Sequence, residues 1–350
     1  MLKHFSIDGR PIGPGFPCFI IAEAGVNHNG DVGRALELID VAAAAGADAV
    51  KFQTFSADRL ASAGARMAGY QKRNTNSDIS QLQMLKDLEL PKTAYPALLA
   101  RAKDRGILFL SSPFDEESAD FLNNLRMVAF KIPSGEITNL PYLRHIALFG
   151  KPMIVSTGMA TMDEIGAAME EIAKSGDPPV SLLQCFSDYP AKPVDQNLLV
   201  MRTFEASFHV PAGFSDHTSG IAVAAGAIGV GAHIIEKHFT LDQSLPGPDH
   251  KASLPPDQLA SMVAALRDVE AALGDGLKIP RGAEIETRIF ARKSIIARVD
   301  IPAGKVLAPE DLSVMRPGTG LSPAQLSMVV GRQVRYAIVA GSLLEASNLV

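Results

Sequence analysis

The clearest β–α–β unit in the chain is FIIAEAGVNHNGDVGRALELIDVAAAAGADAVKFQ, residues 19–53. It opens with the apolar run FIIAE (19–23), continues with a segment of helical spacing from about Asp31 to Ala45, and ends with DAVKFQ (48–53). Short apolar runs on either side of a helical segment are typical of two parallel strands and their crossover helix. The unit therefore predicts a parallel sheet.

The same alternation continues along the chain. Six further apolar runs follow, separated by Ala-, Leu- and Glu-rich segments: ILFLS (107–111), MVAFK (127–131), PMIVS (152–156), VSLLQ (180–184), AGFS (212–215) and HIIEK (233–237). Eight strands over about 250 residues, with a last helix at about 256–273, predict an α/β fold of the (β/α)8 TIM-barrel type. A doubly wound open sheet has the same periodicity, so the pattern alone leaves that architecture open.

The composition changes after the predicted last helix. The segment GDGLKIPRGAEIETRIFARKS (274–294) replaces the apolar period with Gly, Pro and charged residues, which is typical of a linker. We therefore predict a barrel domain over residues 1–275, a linker over 276–291 and a small compact domain over 292–350.

Composition and charge narrow the class of protein. The 350 residues are 47% hydrophobic and 20% charged, with a formal net charge of -5, so no basic surface is expected to attract nucleic acid. The two cysteines, Cys18 and Cys185, are not spaced as a zinc knuckle or a disulfide framework, which favours a reducing compartment. No apolar run approaches the length of a membrane span. We expect a cytoplasmic protein without a membrane or nucleic-acid partner.

Polar residues follow nearly every predicted strand. They are Glu23, Lys51, Gln53, Ser111, Ser112, Lys131, Ser134, Glu136, Ser156, Thr157, Ser215, Asp216, His217, Glu236, Lys237 and His238. In a barrel the carboxyl ends of all strands meet on one face, so these residues are expected to surround a single pocket.

His217 and His238 are the candidate metal ligands, because imidazole binds divalent transition metals and the last two strands are neighbours in a closed barrel. A hydrogen-bonded structural role is the alternative for either histidine alone. Two protein ligands leave positions open for water and a substrate oxygen, which suits Lewis-acid polarisation of an aldehyde.

Lys51, Lys131 and Lys237 come where an apolar strand reaches the predicted pocket, so each is expected to pair with an anion. A phosphate and a carboxylate would occupy all three, although an internal ion pair such as Lys131 with Glu136 explains a single lysine equally well. The Ser134–Gly135 and Thr157–Gly158 pairs offer hydroxyls and backbone amides for phosphate oxygens.

For each of two carboxylates, Glu23 and Asp249, the sequence allows two interpretations. Glu23, at the end of the first strand, is a candidate general base, or a partner for a nearby lysine. Asp249 lies in the loop PGPDHKAS (246–253), which is either a sugar-binding lid or a plain turn.

Several ordered motifs together resemble one family. The runs IIAEAGVNHNGD, GADAVKFQTF, KIPSGEITNLPYL, GKPMIVSTGMAT, GFSDHTSG, IEKHFTLD and GPDHKAS, with ARKSIIA and RPGTGLSP in the tail, resemble the sialic acid synthases, including bacterial N-acetylneuraminate and legionaminic acid synthases. The resemblance implies a TIM barrel followed by a C-terminal antifreeze-like (SAF, β-clip) domain. It also implies a domain-swapped homodimer, in which the small domain of one subunit covers the active site of the other.

The resemblance also implies roles for individual residues. The implied catalytic residues are Glu23, Glu136, Lys51 and Lys131. The implied substrate-binding residues are Gln53, Ser112, Ser134, Thr157, Ser187, Tyr189, Asp249, Phe290 and Arg316. The implied metal ligands are His217 and His238. The implied metal is Mn2+, with Mg2+ or Co2+ as alternatives. The motif SSP replaces the usual STP at Ser112, which keeps the hydroxyl.

The implied reaction condenses phosphoenolpyruvate with an N-acetylated amino sugar and water and releases phosphate. N-acetylneuraminate synthase acting on N-acetylmannosamine is the first expectation, and legionaminic acid synthase acting on 2,4-diacetamido-2,4,6-trideoxymannose is the alternative. The motif SGE rather than SFE disfavours pseudaminic acid synthases. More distant alternatives are a Schiff-base aldolase using Lys131 or Lys237 and a noncatalytic sugar-binding protein.

Overall fold

The computed structural model describes residues 4–75 and 79–350. The chain forms two compact units, Met1–Gly274 and Asp275–Val350. The strands are β1 (Phe5–Ile7), β2 (Arg10–Ile12), β3 (Phe19–Gly25), β4 (Ala49–Thr54), β5 (Leu108–Pro113), β6 (Phe130–Ile132), β7 (Met153–Ser156), β8 (Val180–Cys185), β9 (Ala212–Asp216), β10 (Ile234–His238), β11 (Ser294–Ala297) and β12 (Leu312–Met315).

The α-helices alternate with the strands of the first unit and are fewer in the second. They are α1 (Val32–Ala44), α2 (Ala57–Leu60), α3 (Gly69–Thr75), α4 (Gln81–Leu88), α5 (Tyr95–Arg105), α6 (Glu116–Asn124), α7 (Leu140–Ala147), α8 (Met162–Lys174), α9 (Val200–Phe208), α10 (Ala222–Val230), α11 (Pro256–Leu273), α12 (Glu284–Ala291) and α13 (Leu326–Val329). None of the helices in the described part of the chain is long and apolar enough to cross a membrane.

The eight strands β3 to β10 form the predicted barrel. Their hydrogen-bonded order is β5-β4-β3-β10-β9-β8-β7-β6, and every pair in that order is parallel. The end strands β5 and β6 lie side by side, so the sheet is a nearly closed barrel rather than a doubly wound open sheet. The TIM-barrel prediction is confirmed.

All eight predicted strands are present, with one displaced. The fourth begins at Phe130 rather than at residue 127, because its pairing with β7 starts where Phe130 lies opposite Met153. The helix predicted from Asp31 is α1, whose first turn is capped by the Asp31 carboxylate accepting the Arg34 N–H.

Side chains alternate between the inside and the outside of the barrel along each strand. One apolar cluster fills the interior with Ile21, Ala49, Leu110, Ile154 and Ile234 among its members. Neighbouring strand residues such as Ala22, Val50, Val155 and Ile235 pack outwards, in the larger cluster that the strands share with the surrounding helices. This alternation decides which polar residues face the interior at the carboxyl ends.

The periodicity reasoning did not predict the hairpin of β1 and β2. Its tight turn is Asp8–Gly9, both with positive φ, and Ile7 and Ile12 join the interior cluster of the barrel. An Asp-Gly pair between short apolar segments is a hairpin signal, so the sequence carried the information.

The second unit has a core of its own, with Ile295, Ile301, Leu312, Val334 and Leu344 among its members. Strands β11 and β12 pair antiparallel within it. Within the segment predicted as a linker, residues 276–291, the structure places helix α12, because apolar residues at helical spacing follow the Gly- and Pro-rich start.

Candidate active site

The carboxyl ends of the barrel strands surround a cavity of about 430 Å³. All eight strands, or the loops that follow them, contribute polar side chains to its lining, among them Glu23, Lys51, Gln53, Ser112, Lys131, Ser134, Ser156, Ser187, Ser215, His217, Glu236, His238 and Asp249. The convergence expected of strand-end residues in a barrel is therefore present in this chain.

Four buried charged side chains form the floor of the cavity. The Lys51 ammonium lies 2.6 Å from a carboxylate oxygen of Glu23 and 3.6 Å from one of Glu236. Lys131 lies 3.5 Å from the other oxygen of Glu236. Each of the four side chains is at most 4% exposed, so their charges act with little screening by solvent.

Burial and mutual contact shift the pKa values of this cluster in opposite directions. Burial raises the pKa of Glu23 to about 7, against the charge of Lys51. Burial also opposes ionisation of Glu236, but Lys131 and Lys51 prevail and lower its pKa to about 2. Burial lowers the pKa of Lys131, whereas the two carboxylates overcome burial and raise that of Lys51. Glu236 is thus a fixed anion, and Glu23 is the carboxyl that exchanges protons near neutral pH.

His217 and His238 lie together at the ends of β9 and β10, with ring centroids 5.6 Å apart. Burial lowers the pKa of His217 to about 4 and that of His238 well below its usual value, so both imidazoles are neutral. His217 Nδ1 is 2.7 Å from the Phe186 carbonyl oxygen, a contact that fixes the orientation of the ring.

These two histidines fit a divalent ion. The buried Nδ1 of His238 has no hydrogen-bond partner among the described residues, and neutral imidazole is the ligand form. No group of three or more His, Cys, Asp or Glu side chains in residues 4–75 and 79–350 is arranged to hold a metal, so the protein would supply two ligands at this place.

A second group of small polar residues lies at the ends of β6, β7 and β8. Ser134 Oγ is 3.2 Å from Cys185 Sγ, and the Gly158 N–H donates to the same sulfur at 3.2 Å. A Cβ on Gly158 would lie 2.5 Å from Ser134 Oγ and 2.6 Å from Ser187 Oγ. Glycine is therefore required for this close approach, and two hydroxyls converge as a phosphate would need.

The remaining predicted contacts lie around this centre. Ser112 accepts a hydrogen bond from Lys51 at 3.1 Å, and Gln53 donates to Glu23 at 3.3 Å. The Tyr189 ring lies 4.1 Å from that of His217. Asp249 is 7% exposed, and burial raises its pKa to about 6.

The prediction that Lys237 faces the cavity requires correction, and two further predicted residues lie outside the cavity lining. Lys237 points to the outside of the barrel, where it pairs with Asp216 at 2.8 Å, so it is not available to a ligand in the cavity. The Thr157 hydroxyl donates to the Leu183 carbonyl at 3.0 Å, and the adjacent Ser156 lines the cavity instead. Glu136 follows the cavity-lining Ser134 and Gly135, and its carboxylate accepts from Asn139 at 2.7 Å; its catalytic role stays a prediction.

Phe290 and Arg316 belong to the second unit, and their role at the active site stays a prediction. Within that unit they lie on one surface: Arg316 Nε donates to Ala291 O at 3.1 Å, and the Gly318 N–H donates to Ile289 O at 2.8 Å. Phe290 is 70% exposed.

Among the cavity residues that lie in strands, the sequence reasoning left four without a role of their own: Ser156, Cys185, Ser215 and Glu236. The alternation of inward and outward side chains along β10 predicts that Glu236 faces the cavity. Ile234 belongs to the interior cluster, so Glu236 and His238 face inwards and Lys237 faces outwards.

Comparison with known proteins finds relatives of both units of the chain. The model of the NeuB family matches residues 38–278, and that of the SAF domain matches residues 292–350. N,N'-diacetyllegionaminic acid synthase of Legionella pneumophila is 46% identical over 339 residues, which cover 96% of this chain and 95% of the relative. The enzyme of the same name from Campylobacter jejuni is 46% identical over 315 residues, covering 89% of this chain and 94% of the relative.

A solved structure extends the similarity to three dimensions. The crystal structure of N-acetylneuraminic acid (sialic acid) synthetase from Leptospira borgpetersenii, in complex with citrate, matches with a TM-score of 0.73 at 34% identity. The match covers 82% of this chain and 95% of that chain. The chain therefore belongs to the NeuB family, with a C-terminal SAF domain, and is an enzyme of the nonulosonic acid synthase class.

Proposed function

We propose that this enzyme condenses phosphoenolpyruvate with 2,4-diacetamido-2,4,6-trideoxymannose and water, giving N,N'-diacetyllegionaminic acid and phosphate. The observation that carries the proposal is the buried cluster of Glu23, Lys51, Lys131 and Glu236, which shares one cavity with two hydroxyls suited to a phosphate and two neutral histidines. Phosphoenolpyruvate brings both a carboxylate and a phosphate, the two anions that such a site accommodates.

The choice of sugar differs from the first expectation. The motifs placed N-acetylmannosamine first, but two relatives at 46% identity are both named legionaminic acid synthases. Their coverage of this chain, 96% and 89%, supports the same branch here.

The residues of the cavity supply the parts of the reaction. The bond that forms joins C3 of phosphoenolpyruvate to C1 of the open-chain sugar, whose aldehyde oxygen takes up a proton and becomes a hydroxyl. Water adds at C2 with loss of a proton, and the tetrahedral intermediate then loses phosphate by C–O cleavage, its C2 hydroxyl proton leaving with the phosphate to give the C2 ketone. Lys51 and Lys131 hold the carboxylate, and the Ser134 and Ser187 hydroxyls orient the phosphate. Glu23, with a pKa near 7, accepts the proton that the attacking water gives up.

We propose Mn2+ as the metal, with Mg2+ or Co2+ as alternatives, held by His217 and His238. When bound, such an ion supplies Lewis-acid polarisation of the aldehyde oxygen. The neutral state of both imidazoles and the unpartnered Nδ1 of His238 support this placement.

Phe290 and Arg316 enter the proposal as sugar contacts from a partner subunit in a domain-swapped homodimer. Their shared surface on the C-terminal unit and the exposure of Phe290 support it. Mixing an Arg316→Ala subunit with a Lys51→Met subunit tests it, because exchange would give dimers with one intact site and recover activity that neither variant has alone.

The decisive experiment is phosphate release from phosphoenolpyruvate with Mn2+, comparing the diacetamido-trideoxy sugar with N-acetylmannosamine. We expect release that needs a sugar, is faster with the first sugar, and is lost with a chelator or in His217→Ala. The His145→Ala variant is the matched control, since His145 pairs with Asp120 and does not line the cavity. Absence of release with either sugar would remove the proposed function.

A further inference from the structure

One side of the cavity is apolar. Six cavity-lining residues make up this side, here called the apolar wall: Val26, Leu60, Met84, Leu85, Leu88 and Phe114. We propose that the apolar wall receives the C4–C6 end of the sugar and is the element that selects the 6-deoxy, diacetamido substrate over N-acetylmannosamine. This inference rests on the proposed function.

The apolar wall is a packed element rather than a set of loose side chains. Val26, Met84 and Leu88 are 4%, 4% and 6% exposed, and Leu60, Leu85 and Phe114 pack against them partly buried. The same cluster contains Phe55 and Met67, which do not line the cavity. The wall therefore presents a preformed apolar surface to a ligand.

The apolar wall lies at a part of the cavity where the sugar, rather than the phosphate, is expected to bind. Its residues follow β3 and β5 or lie on α2 and α4, which connect β4 to β5. The hydroxyls suited to phosphate follow β6 and β8, and the two histidines end β9 and β10. If the phosphate binds at the hydroxyls and the reacting aldehyde lies near the histidines, the C4–C6 end of the sugar is the part that reaches the apolar wall.

The two sugars differ at that far end. N-acetylmannosamine has hydroxyls at C4 and C6, whereas the diacetamido-trideoxy sugar has an acetamido group at C4 and a methyl group at C6. A methyl group gains from contact with Leu and Met side chains, and a hydroxyl placed there loses hydrogen bonds to water. An apolar pocket rejects an added hydroxyl only weakly, by about 10²-fold at most. We therefore expect wild-type enzyme to accept N-acetylmannosamine with kcat/KM lower by about 10- to 100-fold.

The test is the ratio of kcat/KM for the two sugars, measured in one preparation of each full-length variant. This ratio does not depend on the fraction of enzyme that is folded, so loss of stability does not mimic the effect. In Leu85→Gln, and separately in Leu60→Gln, an amide can bond the C6 or C4 hydroxyl, and we expect the preference to fall by about tenfold. Two variants at partly buried positions protect the test against failure of one to fold.

Met67→Leu is the matched control, because it changes the same apolar cluster at a residue that does not line the cavity. We expect its sugar preference to equal that of wild type. An unchanged preference in both glutamine variants, with wild type still favouring the diacetamido sugar, would overturn the role of the wall and leave the proposed function intact. A wild-type preference for N-acetylmannosamine would instead remove the proposed branch.

Discussion

The two faces of strand β10 each carry a buried charged side chain, and the two side chains have different roles. On the inner face, Glu236 lies between Lys51 and Lys131, and its Oε2 has no hydrogen-bond partner in the described part of the chain. On the outer face, Lys237 is fully buried and pairs with Asp216 at 2.8 Å.

The outer pair is complete. Lys237 also donates to the Thr218 carbonyl, and Asp216 Oδ1 accepts from the Thr218 N–H at 2.8 Å and from its hydroxyl at 2.7 Å. Both groups of the pair thus have partners within the described residues, and neither lines the active-site cavity. A buried charge therefore marks a functional site only where part of its bonding capacity faces a cavity.

The largest expected effect is the difference between substituting Lys51, which lines the cavity, and substituting Lys237, which does not. Lys51→Met should lower kcat/KM by about 10³-fold, because it removes a buried cation from the proposed anion site. Lys237→Met should instead lower the free energy of unfolding by about 3–5 kcal/mol, because it leaves Asp216 buried and unpaired. Steady-state kinetics and urea unfolding on both variants measure the difference. If Lys237→Met folded as wild type does and lost turnover, the two faces would not differ in role.

A smaller effect is expected to distinguish Glu23, which lines the cavity, from a glutamate that does not. Glu23→Gln should lower kcat by about 10²-fold, since Gln keeps the shape but accepts no proton. Glu171→Gln should keep a rate near that of wild type, because this carboxylate pairs with Arg144 on the helices and does not line the cavity. Equal losses in the two variants would argue against Glu23 as the proton acceptor.

Asp249 should give the cavity a pH dependence in sugar binding. Burial raises its pKa to about 6, so it is ionised above that pH and protonated below it. An ionised carboxylate accepts hydrogen bonds from sugar hydroxyls, so the KM for the sugar should rise by up to about tenfold from pH 7 to pH 5. Asp249→Asn should remove this dependence and leave that of phosphoenolpyruvate unchanged. A KM that varies with pH equally in both proteins would exclude Asp249 as its source.

The smallest expected effect compares two adjacent serines on β5. Ser112 faces the cavity and accepts from Lys51, so Ser112→Ala should lower kcat/KM by about fivefold. Ser111 faces outwards and is 2.7 Å from the Thr54 hydroxyl, so Ser111→Ala should cost about 1 kcal/mol of stability and spare the rate. Kinetics and unfolding of the two variants, side by side, give the comparison. A slower rate in Ser111→Ala alone would reverse the assignment of faces.

The sequence alone predicted most of the fold. Apolar runs of the right length and spacing located all eight strands, because strand formation and crossover helices depend on local patterns. Closure of the sheet was not predicted by periodicity, since an open sheet has the same local pattern. The ladder order from β5 through β3 and β10 to β6 is what distinguishes the two.

For the candidate site, the sequence determined which residue types end each strand, and the motifs marked Glu23, Lys51, Lys131, His217 and His238 for the cavity they line. Only the tertiary structure decided that Glu236 lies between the two lysines, that Lys237 and Thr157 bond on the other face, and that an apolar wall completes the cavity. The physical reason is that these contacts join residues from strands far apart in sequence, whose inward or outward direction is fixed by pairing register when the barrel closes.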